Sequence, residues 1–200
     1  VRPKDEKSLI QRARRRDEAA IGELYHRNVD SIYRYMIHRV GDAATAEDLT
    51  AEVFLRAMES VESYTDTGLP FSAWLFKIAR ARVIDHWRRQ RRHPQVELDE
   101  TISDKQAPFS NSVPFGNGVP LGNGARLRNG TGIELEETAV KLNRAIRLLS
   151  DEQQQVIVLK FYIGLSNAEI AHIMNKTEGA IKALQHRGLA ALGRTVEQSR

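Results

Sequence analysis

The chain has 200 residues, enough for one or two domains, and no cysteine, which excludes a disulfide framework, a thiolate zinc site and a cysteine nucleophile. Its 30 lysines and arginines against 26 acids leave a net charge of +4, a balance that suits a nucleic-acid partner. No apolar run is long enough to span a bilayer, and the opening VRPKDEKSLI lacks the apolar core of a signal peptide, so a cytoplasmic chain is expected.

Helical periodicity runs through residues 8–93 and again through 134–197, and no stretch alternates as a strand would. The prediction is an all-α protein of two small helical domains. In the first, Ile21, Leu24 and Tyr25, then Ile32, Tyr35 and Met36, mark two apolar helical faces. A third helix from about Ala44 to Val61 places Leu49, Val53 and Ala57 on one line and Asp48, Glu52 and Arg56 on the next. Pro70 and Phe71 open a fourth, with Trp74, Leu75 and Ile78 inward. Along that helix Lys77, Arg80, Arg82, Arg88, Arg89, Arg91 and Arg92 stand against a single acid, Asp85, a cluster that attracts phosphates. Phe76, Val83 and Trp87 fall on a different side from Trp74 and Ile78. Rings among arginines suit single-stranded DNA, where unstacked bases lie on aromatic faces and cations follow the backbone. Packing of Phe76 and Trp87 against a neighbouring helix is the competing expectation.

Residues 94–133 lose the periodicity. An acidic run, Glu97, Asp99, Glu100 and Asp104, precedes a six-residue repeat, SNSVPF, GNGVPL, GNGARL, RNGTGI, with asparagine at 111, 117, 123 and 129. Four copies bury too little surface for a β-helix, and the glycines and prolines oppose a packed core, so a flexible linker is expected.

The C-terminal run GLSNAEIAHIMNKTEGAIKALQHRGLAAL reads as two short capped helices joined by a tight turn. Ser166 and Glu169 have the spacing of a capping box, and Asn175 tolerates the left-handed backbone of a sharp turn. Thr177 starts the second helix, whose Ile181, Leu184, Gly188 and Leu192 share one face, leaving Lys182, Ala183, His186 and Arg187 on the other. A recognition helix needs that division: one side anchors it, and the other offers donors to base edges and phosphates in the major groove.

Three motifs, VGDAATAEDLTAEVFLRAM, PFSAWLFKIARARVIDHWRRQRR and LLSDEQQQVIVLKFYIGLSNAEIAHIMNKTEGAIKALQHRGLAAL, closely resemble the polymerase-binding, promoter-melting and duplex-reading segments of bacterial sigma factors of the extracytoplasmic-function type. The resemblance covers residues 8–93 and 134–195. It implies that the helix matching Ala46 to Met58 docks on core RNA polymerase, with Asp48, Glu52, Phe54 and Arg56 as candidate contacts. It implies that the helix matching Phe71 to Arg92 opens the minus-ten promoter element and holds its nontemplate strand, with Lys77, Arg80, Arg82, Trp87, Arg88 and Arg89 as candidates. The recognition helix would read the minus-thirty-five element through Thr177, Lys182, His186 and Arg187. The implied partners are core polymerase, promoter DNA in duplex and single-stranded form, and an anti-sigma factor; no catalysis, cofactor or metal is implied. The chain departs from the family at Ala51, where glutamine is common, at Ala81, where asparagine is common, and at Ala183 and Leu184, where polar residues are usual.

The linker fits this reading by length. Residues 105–132 would span about 30 Å as a relaxed coil and about 95 Å stretched, while promoter elements two duplex turns apart are about 70 Å apart. Engagement of both domains requires a drawn-out linker. Two other readings compete. A free-standing helix-turn-helix regulator explains the C-terminal half and leaves the first domain without a role. A di-metal enzyme is suggested by Glu23-x-x-His26 and Glu169-x-x-His172, the spacing of carboxylate-bridged bundles; both pairs, however, lie opposite the apolar faces of their helices.

Overall fold

The computed structural model describes residues 3–92, 142 and 144–197, in two compact units that divide between Val113 and Pro114. Among the described residues there is no strand, and no helix is long and apolar enough to cross a membrane. The repeat segment and the acidic run before it lie outside the described residues.

Among the described residues the first unit has four α-helices. Helix α1, Pro3–Arg14, carries Asp5 and Glu6 in its first turn and Arg12 and Arg14 in its last, complementing the helix dipole at both ends. The chain turns through Arg16 at φ 61°. Asp17 caps α2, Glu18–Val40, by accepting from Ala20 N at 3.1 Å. The Arg12 guanidinium at 2.8 Å and that capping bond hold the Asp17 carboxyl below its usual range. The sequence marks two faces in this stretch, and they belong to one continuous helix of 23 residues. Asn28 and Ser31 do not break it, because each satisfies itself within the helix: Asn28 Nδ2 donates to Leu24 O at 2.7 Å and Ser31 Oγ to Asn28 O at 2.8 Å.

Helix α3, Ala43–Ser60, follows after two residues with opposite duties. Gly41, at φ 80°, ends α2 in the left-handed region, and Asp42 caps α3 by accepting from Thr45 N at 2.8 Å. A 3-10 turn, Val61–Ser63, leads into a loop held by Lys7 on Asp66 at 2.9 Å. Helix α4, Phe71–Arg92, then begins with an acceptor borrowed from α1, since Phe71 N donates to Glu6 Oε2 at 3.3 Å. Its packing against both α2 and α3 explains a departure from expectation. Phe76 and Val83 are fully buried with Leu75, while Trp74 and Ile78 are only half-buried. A helix wedged between two others buries a broader arc than a single stripe. Phe76 meets Tyr35 of α2 edge-on, with ring centroids 5.6 Å apart.

In the second unit, residues 144–147 are helical and place Ala145, Ile146 and Leu149 in a cluster with Ile157 and Leu192. Helix α5, Asp151–Ile157, opens with Ser150 N donating to Gln153 Oε1 at 3.2 Å. It widens into a π-helical turn, Val158–Tyr162, closed by Ile163 N on Val158 O at 3.1 Å. Gly164 at φ 86° ends it, and helix α6, Asn167–Met174, and helix α7, Glu178–Glu197, complete the unit.

Candidate nucleic-acid interface

The turn between α6 and α7 is built as its residues require. Ser166 Oγ accepts from Glu169 N at 3.2 Å while the Glu169 carboxylate accepts from Ser166 N at 2.7 Å, closing the capping box. Asn175 adopts φ 54° and ψ 50° and ends α6 in the left-handed region. Thr177 caps α7, its hydroxyl oxygen accepting from Ala180 N at 3.2 Å. Ile170, Ile173, Ile181, Leu184 and Leu192 are buried, and so is Gly188. A Cβ on Gly188 would lie 3.2 Å from Ile157 Cγ1, so glycine is what lets α7 approach α5 this closely.

On the opposite side of α7, Thr177, Lys182, Ala183, His186 and Arg187 are all exposed. Lys182, His186 and Arg187 make no ion pair among the described residues, so the helix presents three donors to solvent. Leu184, one of the departures from the family pattern, turns inward and is 6% exposed; Ala183 is the apolar gap in the exposed face.

The cations of α4 sort into two stripes by helical spacing. Lys77, Arg80, Arg88 and Arg91 lie along one, which has no carboxylate in it. Trp87 sits at its border with the core, half-buried and edge-on to His86 at 5.2 Å. Phe76 is withdrawn from this surface, so Trp87 is the ring beside the basic stripe. The second stripe, Arg82, Arg89 and Arg92, lines a groove against α3 together with Glu52, Arg56, Glu59 and Asp85, and Arg88 borders it. Here the charges pair: Arg82 with Asp85 at 2.9 Å, Arg56 with Glu59 at 3.0 Å, and Arg89 with Glu52 at 3.9 Å. Partial burial lowers the pKa of His86, Arg89 pushes it the same way and Glu52 opposes.

The polymerase candidates divide likewise. Asp48 and Arg56 are exposed and Glu52 is half-buried, all on the outer side of α3. Phe54 is 7% exposed, its ring edge-on to Tyr25 with centroids 4.7 Å apart, which places it in the core beneath that surface. Exposed Leu55 and Met58, absent from the sequence-derived set, stand in its place. Only the burial pattern of the folded helix distinguishes them.

The Glu-x-x-His pairs have other partners. Glu23 is ion-paired with Arg27 at 2.6 Å and His26 is exposed. Glu169 is committed to the capping box, and among the described residues no group of three or more His, Asp or Glu is placed to hold a metal.

Comparison with known proteins gives consistent matches. The family model described as Sigma-70 region 2 matches residues 24–93, and the one described as Sigma-70, region 4 matches residues 139–192. The ECF RNA polymerase sigma factor BldN of Streptomyces coelicolor is 39% identical over 93% of this chain, which spans 64% of that protein's length. The ECF RNA polymerase sigma factor SigW of Bacillus subtilis is 30% identical over 93% of this chain and 94% of its own. Two solved structures share the fold. One is CnrH in complex with the cytosolic domain of CnrY, with TM-score 0.68, 17% identity and coverage of 98% of this chain and 99% of that one. The other is the sigma factor RpoE of Bartonella quintana in complex with the anti-sigma factor NepR, with TM-score 0.62, 19% identity and coverage of 90% and 98%.

Proposed function

The chain belongs to the extracytoplasmic-function RNA polymerase sigma factors, and we propose that it binds core RNA polymerase and directs promoter-specific initiation by reading duplex DNA and holding a melted strand. The observation that carries this reading is the coincidence of faces with families: the region 2 match contains both the outer face of α3 and the basic stripe of α4, and the region 4 match contains α6 and most of α7.

Helix α3 offers Asp48, Glu52 and Arg56 to polymerase, with Phe54 supporting them from below and Leu55 adding apolar contact. Lys77, Arg80 and Arg88 follow the phosphates of the nontemplate strand, with Trp87 as a stacking surface. Base–aromatic stacking contributes about 1–3 kcal/mol per base, enough to offset the few kcal/mol that unstacking a base costs. Arg89 ties α4 to Glu52 of α3, while Arg82 pairs with Asp85 within α4. Thr177, Lys182, His186 and Arg187 on α7 contact the upstream duplex. The proposed domains are residues 8–93, to which the start of α1 from Pro3 is added, and 134–197, with 94–133 as the connection. The work is done by binding energy, without a catalytic residue or cofactor, in the cytoplasm where core polymerase is found. A protein that covers these faces is the expected regulator; the RpoE neighbour is itself bound to an anti-sigma factor.

The division of labour is tested by titrating fluorescently labelled chain with core polymerase. Glu52→Ala should weaken that association about tenfold and leave binding of the free chain to duplex DNA unchanged, the size expected when one charged interface contact is removed. Equal loss of both would contradict the assignment.

A further inference from the structure

The seam between α6 and α7 is filled by Ile170, Ile173, Ile181 and Leu184. Apolar packing of this kind is non-directional and fixes the distance between two helices better than their rotation. One contact across the seam is directional: Gln185 Nε2 donates to Asn167 Oδ1 at 3.2 Å. Its acceptor stands on a rigid base. Asn167 is the first residue of α6, immediately after the Ser166–Glu169 capping box. Its donor is half-buried on α7 between Lys182, one turn earlier, and His186, the next residue, both of which are exposed.

Rotation matters because of leverage. A helix with its side chains is about 10–12 Å across, so a roll of about 10° carries a side-chain tip about 1 Å. Hydrogen bonds to base edges do not survive such a shift, since they tolerate only a few tenths of an ångström around about 2.9 Å.

We infer that the Asn167–Gln185 hydrogen bond sets the rotation of α7, so that Lys182 and His186 meet base edges in register, making Gln185 a positioning residue for promoter discrimination. This rests on the reading of α7 as the duplex-reading helix. Loss of the bond leaves the cations in place and their attraction to phosphate intact; what falls is the difference between a matched and a mismatched site.

The test uses holoenzyme assembled from core polymerase and the full chain. A duplex library randomised over the upstream element is selected with the wild-type chain, and affinities for the selected duplex and for single-base mismatches are then measured. Asn167→Ala and Gln185→Ala should each lower discrimination about 3–10-fold, the effect of one hydrogen bond. The double variant should lose no more than either single. The exchanged pair Asn167→Gln with Gln185→Asn, which keeps the total length of the bridge, should recover most of the loss. Arg187→Ala is measured alongside and should weaken all upstream duplexes. Discrimination unchanged in both alanine variants, losses that add, equal weakening of matched and mismatched duplexes, or no recovery in the exchanged pair would each overturn the inference while Arg187→Ala keeps its effect. If Arg187→Ala also leaves upstream binding unchanged, the reading of α7 falls and the inference falls with it.

Discussion

Acidification should weaken the first unit through His38. This imidazole lies in α2 between core residues Tyr35 and Met36 and the end of the helix, and burial, reinforced by the charge of Arg34 one turn earlier, lowers its pKa from 6.5 to about 4. Between those values the unfolded chain binds a proton that the folded chain refuses, so stability falls as the pH falls and is insensitive to this group above about pH 7. Linkage gives a loss of about 2 kcal/mol at pH 5, approaching about 3 kcal/mol below pH 4. The first figure raises the unfolded population about thirtyfold. Both tryptophans, Trp74 and Trp87, are in this unit, so urea unfolding followed by tryptophan fluorescence reports on it selectively. Wild type and His38→Gln are compared at pH 7.5 and pH 5.0, and the wild type should lose about 2 kcal/mol more than the variant between them. Asp17 and Asp42, whose carboxyls are held below their usual range by hydrogen bonds, give up their contribution only at lower pH and are common to both proteins. Equal losses in wild type and variant would refute the assignment of the effect to His38.

In the second unit, Ser166→Ala removes the capping acceptor for Glu169 N and should cost about 1 kcal/mol in thermal unfolding; no change would mean that Glu169 alone suffices. Gly188→Leu forces a side chain against Ile157 and should destabilise by about 1–3 kcal/mol, whereas a stability equal to wild type would show that α7 can move away from α5 freely. Arg187→Ala should weaken duplex promoter binding about tenfold, the lower range for a base or phosphate contact, with association to core polymerase unchanged in the same titration.

The helix-turn-helix was legible because its determinants are local: Ser166 and Glu169 are three residues apart, Asn175 acts on its own backbone, and the burial of Ile181, Leu184, Gly188 and Leu192 follows from helical spacing alone. Helix α1, Pro3–Arg14, was not anticipated, because it precedes the stretch in which apolar periodicity is strong. The two apolar faces marked in the sequence are one helix, α2, in which Asn28 and Ser31 bond to backbone carbonyls of the helix itself. Phe54 was placed too far outward for a tertiary reason, since neighbouring helices decide how broad an arc becomes core, and of the two expectations for Phe76 the packed one holds. The pairs Glu52–Arg89 and Asn167–Gln185 join different helices, and neither spacing nor residue type brings them together. Thus the sequence revealed which surfaces carry charge, while the fold set part of that charge into a groove where arginines and carboxylates pair.

The account is tested most directly by run-off transcription with purified core polymerase on fragments of the source genome, with and without this chain. It predicts transcripts that appear only when the chain is present and start downstream of a shared two-part motif. Absence of any chain-dependent transcript, together with no association between the chain and its cognate core polymerase, would contradict it.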